Sequence, residues 1–220
     1  MLELHNVTKT YRKAGETIHA ADDLSLGADK GELLVIHGPI GSGKSTLLLM
    51  AGGMLPPDTG TVSYGDEDVY AWSGIRRNRY RKQTVGFVFQ RFFLVPYLTV
   101  FDNIRIPLAL QSSQAKHADA VTAVAERLQI DKRLGHRPAE LSVGEQQRAA
   151  VARALVGGQD LILADEPTGN LDARNVDIIA DCLRTEAKQG RTILLVTHNM
   201  SLLDIGTRSL HLQDGRLGAS

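Results

Sequence analysis

The stretch that most restricts the fold is residues 32–53. "ELLVIHG" is an apolar run ending in glycine, as a strand buried on both faces would be. It runs straight into "GPIGSGKST", residues 38–46, and then into "LLLMAGGM", a helical pattern that stops at Gly52–Gly53. The middle piece matches G-x-x-x-x-G-K-[ST] in full and has a strand before it and a helix after it. Gly38, Gly41 and Gly43 let backbone N–H groups wrap a phosphate, and the helix dipole favours the anion. Lys44 can reach β and γ phosphates, and the Ser45 hydroxyl can ligate Mg²⁺. Pro39, Ile40, Ser42 and Thr46 complete the candidate cradle. A glycine turn that merely caps a helix would need neither the lysine nor the hydroxyl.

Around this loop the chain alternates strand and helix. "LELHNV" alternates, residues 2–37 read as β-rich, "TGTVSYGDEDV" reads as strand and turn, and "TVGFVFQ" as a short buried strand. From about residue 91 to 157 the pattern turns helical, with Thr99 as an N-cap and Pro107 expected to kink its helix. Then come "DLILADE", a helix in "VDIIADCLRTEAK", "RTILLVTHN" and "RSLHL". This order predicts a parallel α/β core with a helical block inserted.

Two acids end the strand "LILADE". Asp165 can hold a Mg²⁺-bound water beside a phosphate loop on a neighbouring strand, and Glu166 can polarise an attacking water. Gln90 is placed at the end of "TVGFVFQ" and His198 at the end of "RTILLVTH". Strand C-termini of a parallel sheet gather on the ligand edge, so both can approach a γ-phosphate or its water. Tyr11 is a candidate for stacking on a base, with simple packing as the alternative.

"LSVGEQQR", residues 141–148, opens a further helix. Ser142 and Glu145 form a capping box, and Gly144 leaves room for a close approach. The bare N–H groups invite an anion, yet no lysine or arginine stands in the first turn to complete a cradle.

Composition narrows the partners. Lys plus Arg is 25 and Asp plus Glu is 25, a formal net charge of 0, which gives no support to a nucleic-acid partner. "RRNRYRK", residues 76–82, is read as a solvated basic face. Cys182 is the single cysteine, so no intrachain disulfide forms. No apolar run approaches the roughly 20 residues of a membrane span, and the N-terminus has no signal core.

Taken in order, the motifs resemble those of the ATP-binding-cassette (ABC) ATPases over essentially the whole chain. "GPIGSGKST" corresponds to Walker A, Gln90 to the Q-loop, "LSVGEQQR" to the signature, "LILADE" to Walker B, "GNLD" to the D-loop and His198 to the H-loop. Val143 departs from the family's usual glycine, and His37 and Ile40 are also less usual. The resemblance implies a P-loop NTPase (RecA-like) parallel-sheet core with an N-terminal antiparallel β subdomain. The expected division is residues 1–90 and 158–220 for the core with its β subdomain, and 91–157 for the helical subdomain. It also implies ATP and Mg²⁺ as ligands, with Ser45, Gln90 and Asp165 at the metal and Glu166, His198, Gln90 and Lys44 as the catalytic set. Tyr11, residues 38–46, Ser142, Gly144, Glu145 and Asp172 would hold the nucleotide. In the family two cassettes pair head to tail, so the lysine missing from the signature helix would be Lys44 of the second copy.

"KTYRKAGETIHAADDLSL", "VGFVFQRFFLVPYLTVFDNIRIPL" and "HRPAELS" are similar to the branch of lipoprotein-releasing (LolD-like), macrolide-exporting (MacB-like) and cell-division (FtsE-like) ATPases. That branch implies an integral-membrane permease partner and a place on the cytoplasmic face of the inner membrane. The early end after the last strand leads us to expect a stand-alone subunit, with lipoprotein or another hydrophobic cargo; peptide or drug export, cell-division regulation and a non-transport role on nucleic acid are the alternatives. The segment after Gln90, with Phe92, Phe93 and Tyr97, is expected to receive a short helix of the permease, with packing inside the helical block as the alternative.

Overall fold

The computed structural model describes residues 1–13, 16–109, 117–169 and 171–218. Among them the strands are β1 (Leu2–Lys13), β2 (Glu16–Ala28), β3 (Leu33–His37), β4 (Thr59–Tyr64), β5 (Glu67–Asp68), β6 (Val85–Val88), β7 (Leu161–Asp165), β8 (Thr192–Thr197), β9 (Arg208–Gln213) and β10 (Arg216–Leu217). The α-helices are α1 (Lys44–Ala51), α2 (Gly74–Gln83), α3 (Val100–Ala109), α4 (His117–Arg127), α5 (Val143–Leu155) and α6 (Ala173–Lys188).

Two sheets form. An antiparallel one has the order β2-β1-β4-β5, and a six-stranded one runs β10-β9-β3-β8-β7-β6. From β9 to β6 the second sheet is parallel, with β10 antiparallel at its edge. Its central strands β3, β7 and β8 are mostly apolar because both faces are covered. Leu34, Ile36, Leu194, Val196, Leu161 and Leu163 point to the core shared with α1 and the antiparallel sheet. Val35, Ile193, Leu195, Ile162 and Ala164 point to the opposite core, which α3–α6 cover. The period-two alternation of the pleat divides one apolar run between two cores.

The predicted parallel core holds, but its strand order differs from expectation. β7 is not beside β3; β8 lies between them. Register pairs His37 with Thr197 and Asp165 with Val196, so three strands end at one edge. Pairing order is set by packing across long sequence separations, which local pattern does not encode.

Other departures are local. β6 stops at Val88, so Phe89 and Gln90 lie beyond it. The helices of the inserted block begin at Val100 rather than near residue 91, and residues 91–99 form loops and turns. Thr99 does cap: its Oγ1 accepts from Asp102 N at 3.1 Å. Helix α3 runs past Pro107 to Ala109.

Helix α2 has no apolar period to reveal it, since Tyr80 alone is buried. It carries the basic run, which is attached to the protein. Arg76 lies 4.6 Å from the Trp72 ring centre and pairs with Glu67, and Arg81 donates to Gly53 O at 2.9 Å.

Candidate nucleotide site

Gly43 sits at the N-cap of α1 with φ 103°. A Cβ there would also lie 1.9 Å from Ala20 O, so only glycine fits. No side chain caps this helix. Its first N–H groups therefore have neither an intrahelical acceptor nor a side-chain cap among the described residues, as an anion site requires. Lys44 curls over the loop and donates to Gly38 O at 2.8 Å and Pro39 O at 2.9 Å. Burial lowers its pKa, while Glu166 and Asp165 pull it back up. Ser42 is buried and its Oγ has no hydrogen-bond partner among the described residues.

A cavity of about 360 Å³ lies over this loop, lined by Tyr11, Ile18, Ile40, Gly41, Gly43, Lys44, Ser45, Thr46, Gln90, Glu166 and His198. The structure thus gathers candidates from residues 11 to 198 around one space. Tyr11 is 41% exposed at its mouth. Gln90 is exposed at the rim, past the end of its strand.

The two acids of "LILADE" have different surroundings. Asp165 ends β7 and is buried, and its Oδ1 has no hydrogen-bond partner among the described residues. Burial raises its pKa, against a hydrogen bond from Ser45 and the charge of Lys44. A hydroxyl and a carboxylate with a spare oxygen suit Mg²⁺, which takes few protein ligands and completes its shell with phosphate and water. Among the described residues no group of three His, Cys, Asp or Glu side chains could hold a metal alone.

Glu166 begins the turn after β7 with φ 47°, a left-handed backbone uncommon for a non-glycine. Its N–H donates to Val196 O at 3.0 Å, which anchors the turn to β8. The carboxylate meets the end of β8 from both oxygens. His198 Nδ1 lies 2.8 Å from Oε1, and Oε2 accepts from Thr197 Oγ1 and His198 N, each at 3.2 Å. The side chain is 8% exposed, and His198 is half exposed beside it. Separate motifs thus form one hydrogen-bonded pair because β8 adjoins β7.

Ser142, Gly144 and Glu145 lie elsewhere on the molecule, outside that cavity. The capping box holds: Ser142 Oγ accepts from Glu145 N at 3.3 Å, and Glu145 Oε2 accepts from Ser142 N at 2.8 Å. Glu145 also pairs with Arg133 at 2.8 Å. Asp172 N-caps α6, accepting from Asn175 N at 3.0 Å. Of the "GNLD" stretch, Asn170 lies outside the described residues.

Sequence profiles and solved structures agree on the family. The ABC transporter family profile matches residues 21–169. The chain belongs to the ABC transporter family. It is 36% identical over 218 residues to the macrolide export ATP-binding/permease protein MacB of Burkholderia thailandensis. That match takes in 99% of this chain and 33% of MacB, so the chain spans about a third of that relative's length. The dimeric structure of MJ0796, a bacterial ABC transporter cassette, superposes with a TM-score of 0.93 at 34% identity, covering 100% of this chain and 97% of that one. A second MJ0796 dimer, in a post-hydrolysis state bound to ADP and Pi, gives 0.93 at 33% identity with the same coverage. The cassette is thus a P-loop ATPase of the MacB and MJ0796 type.

Several residues of this cassette were not legible as functional. Asn103 is fully buried and holds residues 95–99: its Oδ1 accepts from Val95 N at 2.7 Å, and its amide donates to Val95 O and Thr99 O. Arg153 on α5 donates to Phe92 O and Phe93 O at 2.7 and 2.6 Å. These clamps shape the segment after Gln90. Beside it a groove of about 350 Å³ is lined by Phe87, Phe89, Phe93, Ile106, Pro107 and Arg153. Tyr97 is outside that lining but 75% exposed.

Proposed function

We propose that this cassette binds and hydrolyses ATP at composite sites formed by two copies paired head to tail, and so drives a membrane permease. The observation that carries the reading is the Glu166–His198 contact at 2.8 Å on the wall of the phosphate-loop cavity. Lys44 and the N–H groups at the start of α1 hold the phosphates, and Tyr11 stacks on the base. Ser45, Asp165 and Gln90 would hold Mg²⁺, which would supply charge neutralisation beside the phosphates. Glu166 takes the proton of the attacking water, and His198 keeps its carboxylate aimed into the cavity. Ser142, Gly144 and Glu145, with Asp172, act on the nucleotide of the second copy. The dimers of MJ0796 support that pairing.

Residues 91–157 are taken as a helical subdomain, and the groove beside Phe93 as the seat of a short permease helix anchored by aromatic side chains. The fused permease of MacB supports such a partner, and among the described residues no helix is long and apolar enough to cross a membrane. The working place is then the cytoplasmic face of the cell membrane. Lipoprotein or another hydrophobic cargo is our first reading. The MacB match favours a macrolide-like compound as the second.

Glu166→Gln keeps the shape of the site and removes its base. Turnover should fall roughly 100- to 10,000-fold, while Mg-ATP converts the monomer to a dimer on gel filtration. A variant that stays monomeric at saturating ATP, or turns over at the parent rate, refutes this assignment.

A further inference from the structure

Gly144 has a reason to be glycine within its own chain. It is buried, while Ser142 and Val143 on either side of the helix start are exposed. A Cβ at Gly144 would lie 2.6 Å from Cγ and Nδ2 of Asn175 and 2.7 Å from its Oδ1. Such a clash is mild when the neighbour can swing aside, but Asn175 is held at both ends of its amide. Arg148, on the same helix as Gly144, donates to its Oδ1. Its Nδ2 donates to Asp172 Oδ2 at 2.6 Å, and its N–H to Asp172 Oδ1 at 3.0 Å. One side chain therefore fills the face of α5 at Gly144, pairs with Arg148 one turn on, and orients the N-cap carboxylate of α6.

We propose that Asn175 is a positioning residue that locks the start of α5 to Asp172, so that both present to the second copy's nucleotide as one rigid surface. This rests on the composite-site reading above. The identity of the side chain follows from its contacts. Aspartate would set a second carboxylate against Asp172, glutamine would drive an extra methylene towards Gly144, and alanine would lose both polar links.

The test uses the Glu166→Gln chain, with the Mg-ATP concentration for half-maximal dimerisation read by gel filtration. Asn175→Ala and Asn175→Asp should each raise that concentration about tenfold, the size of one hydrogen bond to a charged group. Both should keep the affinity of the monomer for a fluorescent ATP analogue. Gly144→Ala should nearly abolish dimerisation and lower the melting temperature of the nucleotide-free monomer. Adding Asn175→Ala to Gly144→Ala should restore both, bringing dimerisation to the level of Asn175→Ala alone, since contacting residues are not additive. A double variant no better than Gly144→Ala overturns the inference: the glycine is then required by something across the interface. Asn175 variants that dimerise like their parent overturn it as well. If Glu166→Gln itself fails to dimerise, the composite site falls and the inference with it.

Discussion

Glu186 offers a quantitative test of how the inserted helices are fastened to the sheet. Its side chain is fully buried on α6, where an unpaired carboxylate would be costly. Arg127, on α4, contacts Oε1, and Arg191 stands 2.8 Å from Oε2 as an ion pair without hydrogen-bond geometry. Arg191 also donates to Leu155 O at 3.1 Å, so the cluster joins α4, α5, α6 and the approach to β8. Breaking a buried pair costs about 3–5 kcal/mol, mostly because a charge is left without a partner. For Glu186→Gln the orphans are the two arginines, 39% and 19% exposed, and they reach water. The lower end, about 3 kcal/mol, is therefore expected. In a chain of 220 residues, each kcal/mol moves Tm by about 2–4 °C, so Tm should fall by about 6–12 °C. Arg127→Met should cost less, about 1–2 kcal/mol, because Arg191 still compensates the carboxylate and the methionine keeps the stem packed. Urea and thermal unfolding followed by circular dichroism measure both. A Glu186→Gln protein within about 1 kcal/mol of the parent would refute the reasoning, as would an Arg127→Met protein equally damaged.

Other consequences are simpler to read. Phe93→Asp or Tyr97→Asp should abolish capture of the permease from detergent-solubilised membranes while ATP binding and Tm stay at parent values, because the two rings are 61% and 75% exposed; joint loss of ATP binding and stability would make them core residues instead. Tyr11→Ala should raise the KM for ATP by at least about fivefold with little change in kcat, since stacking on a base is worth roughly 1–3 kcal/mol; an unchanged KM would remove Tyr11 from the base site. Asp58 accepts from Lys9 at 2.6 Å and from Thr10 N at 2.7 Å, which hold its pKa down to about 2 from 3.8. Its stabilising effect is present above pH 3.8 and lost as pH falls to about 2, so the deficit of Asp58→Asn in urea melts should shrink over that window and be constant above it.

The local chemistry of this chain was legible in its sequence because each piece is short and stereotyped. A phosphate loop needs its glycines, lysine and hydroxyl at fixed spacing, and residues 38–46 supply them whatever the rest of the chain does. The capping box at Ser142 and Glu145 follows from a three-residue offset, and the cap at Thr99 from a residue type before a periodic run. Apolar runs likewise announced the strands β3, β7 and β8. What no window of sequence carried was adjacency. β8 slots between β3 and β7, which brings His198 onto Glu166. Asn175 fills the space at Gly144, where the sequence suggested only openness. Arg153 reaches back some 60 residues to shape the segment after Gln90. Helix α2 stayed hidden because one buried ring, Tyr80, and polar contacts through Arg76 and Arg81 attach it, with no apolar period to read. Hydrogen-bonding side chains can be satisfied by water or by many partners, so their residue types do not name the partner. Only the packing of two hydrophobic cores on one sheet brings a particular donor within reach of a particular acceptor.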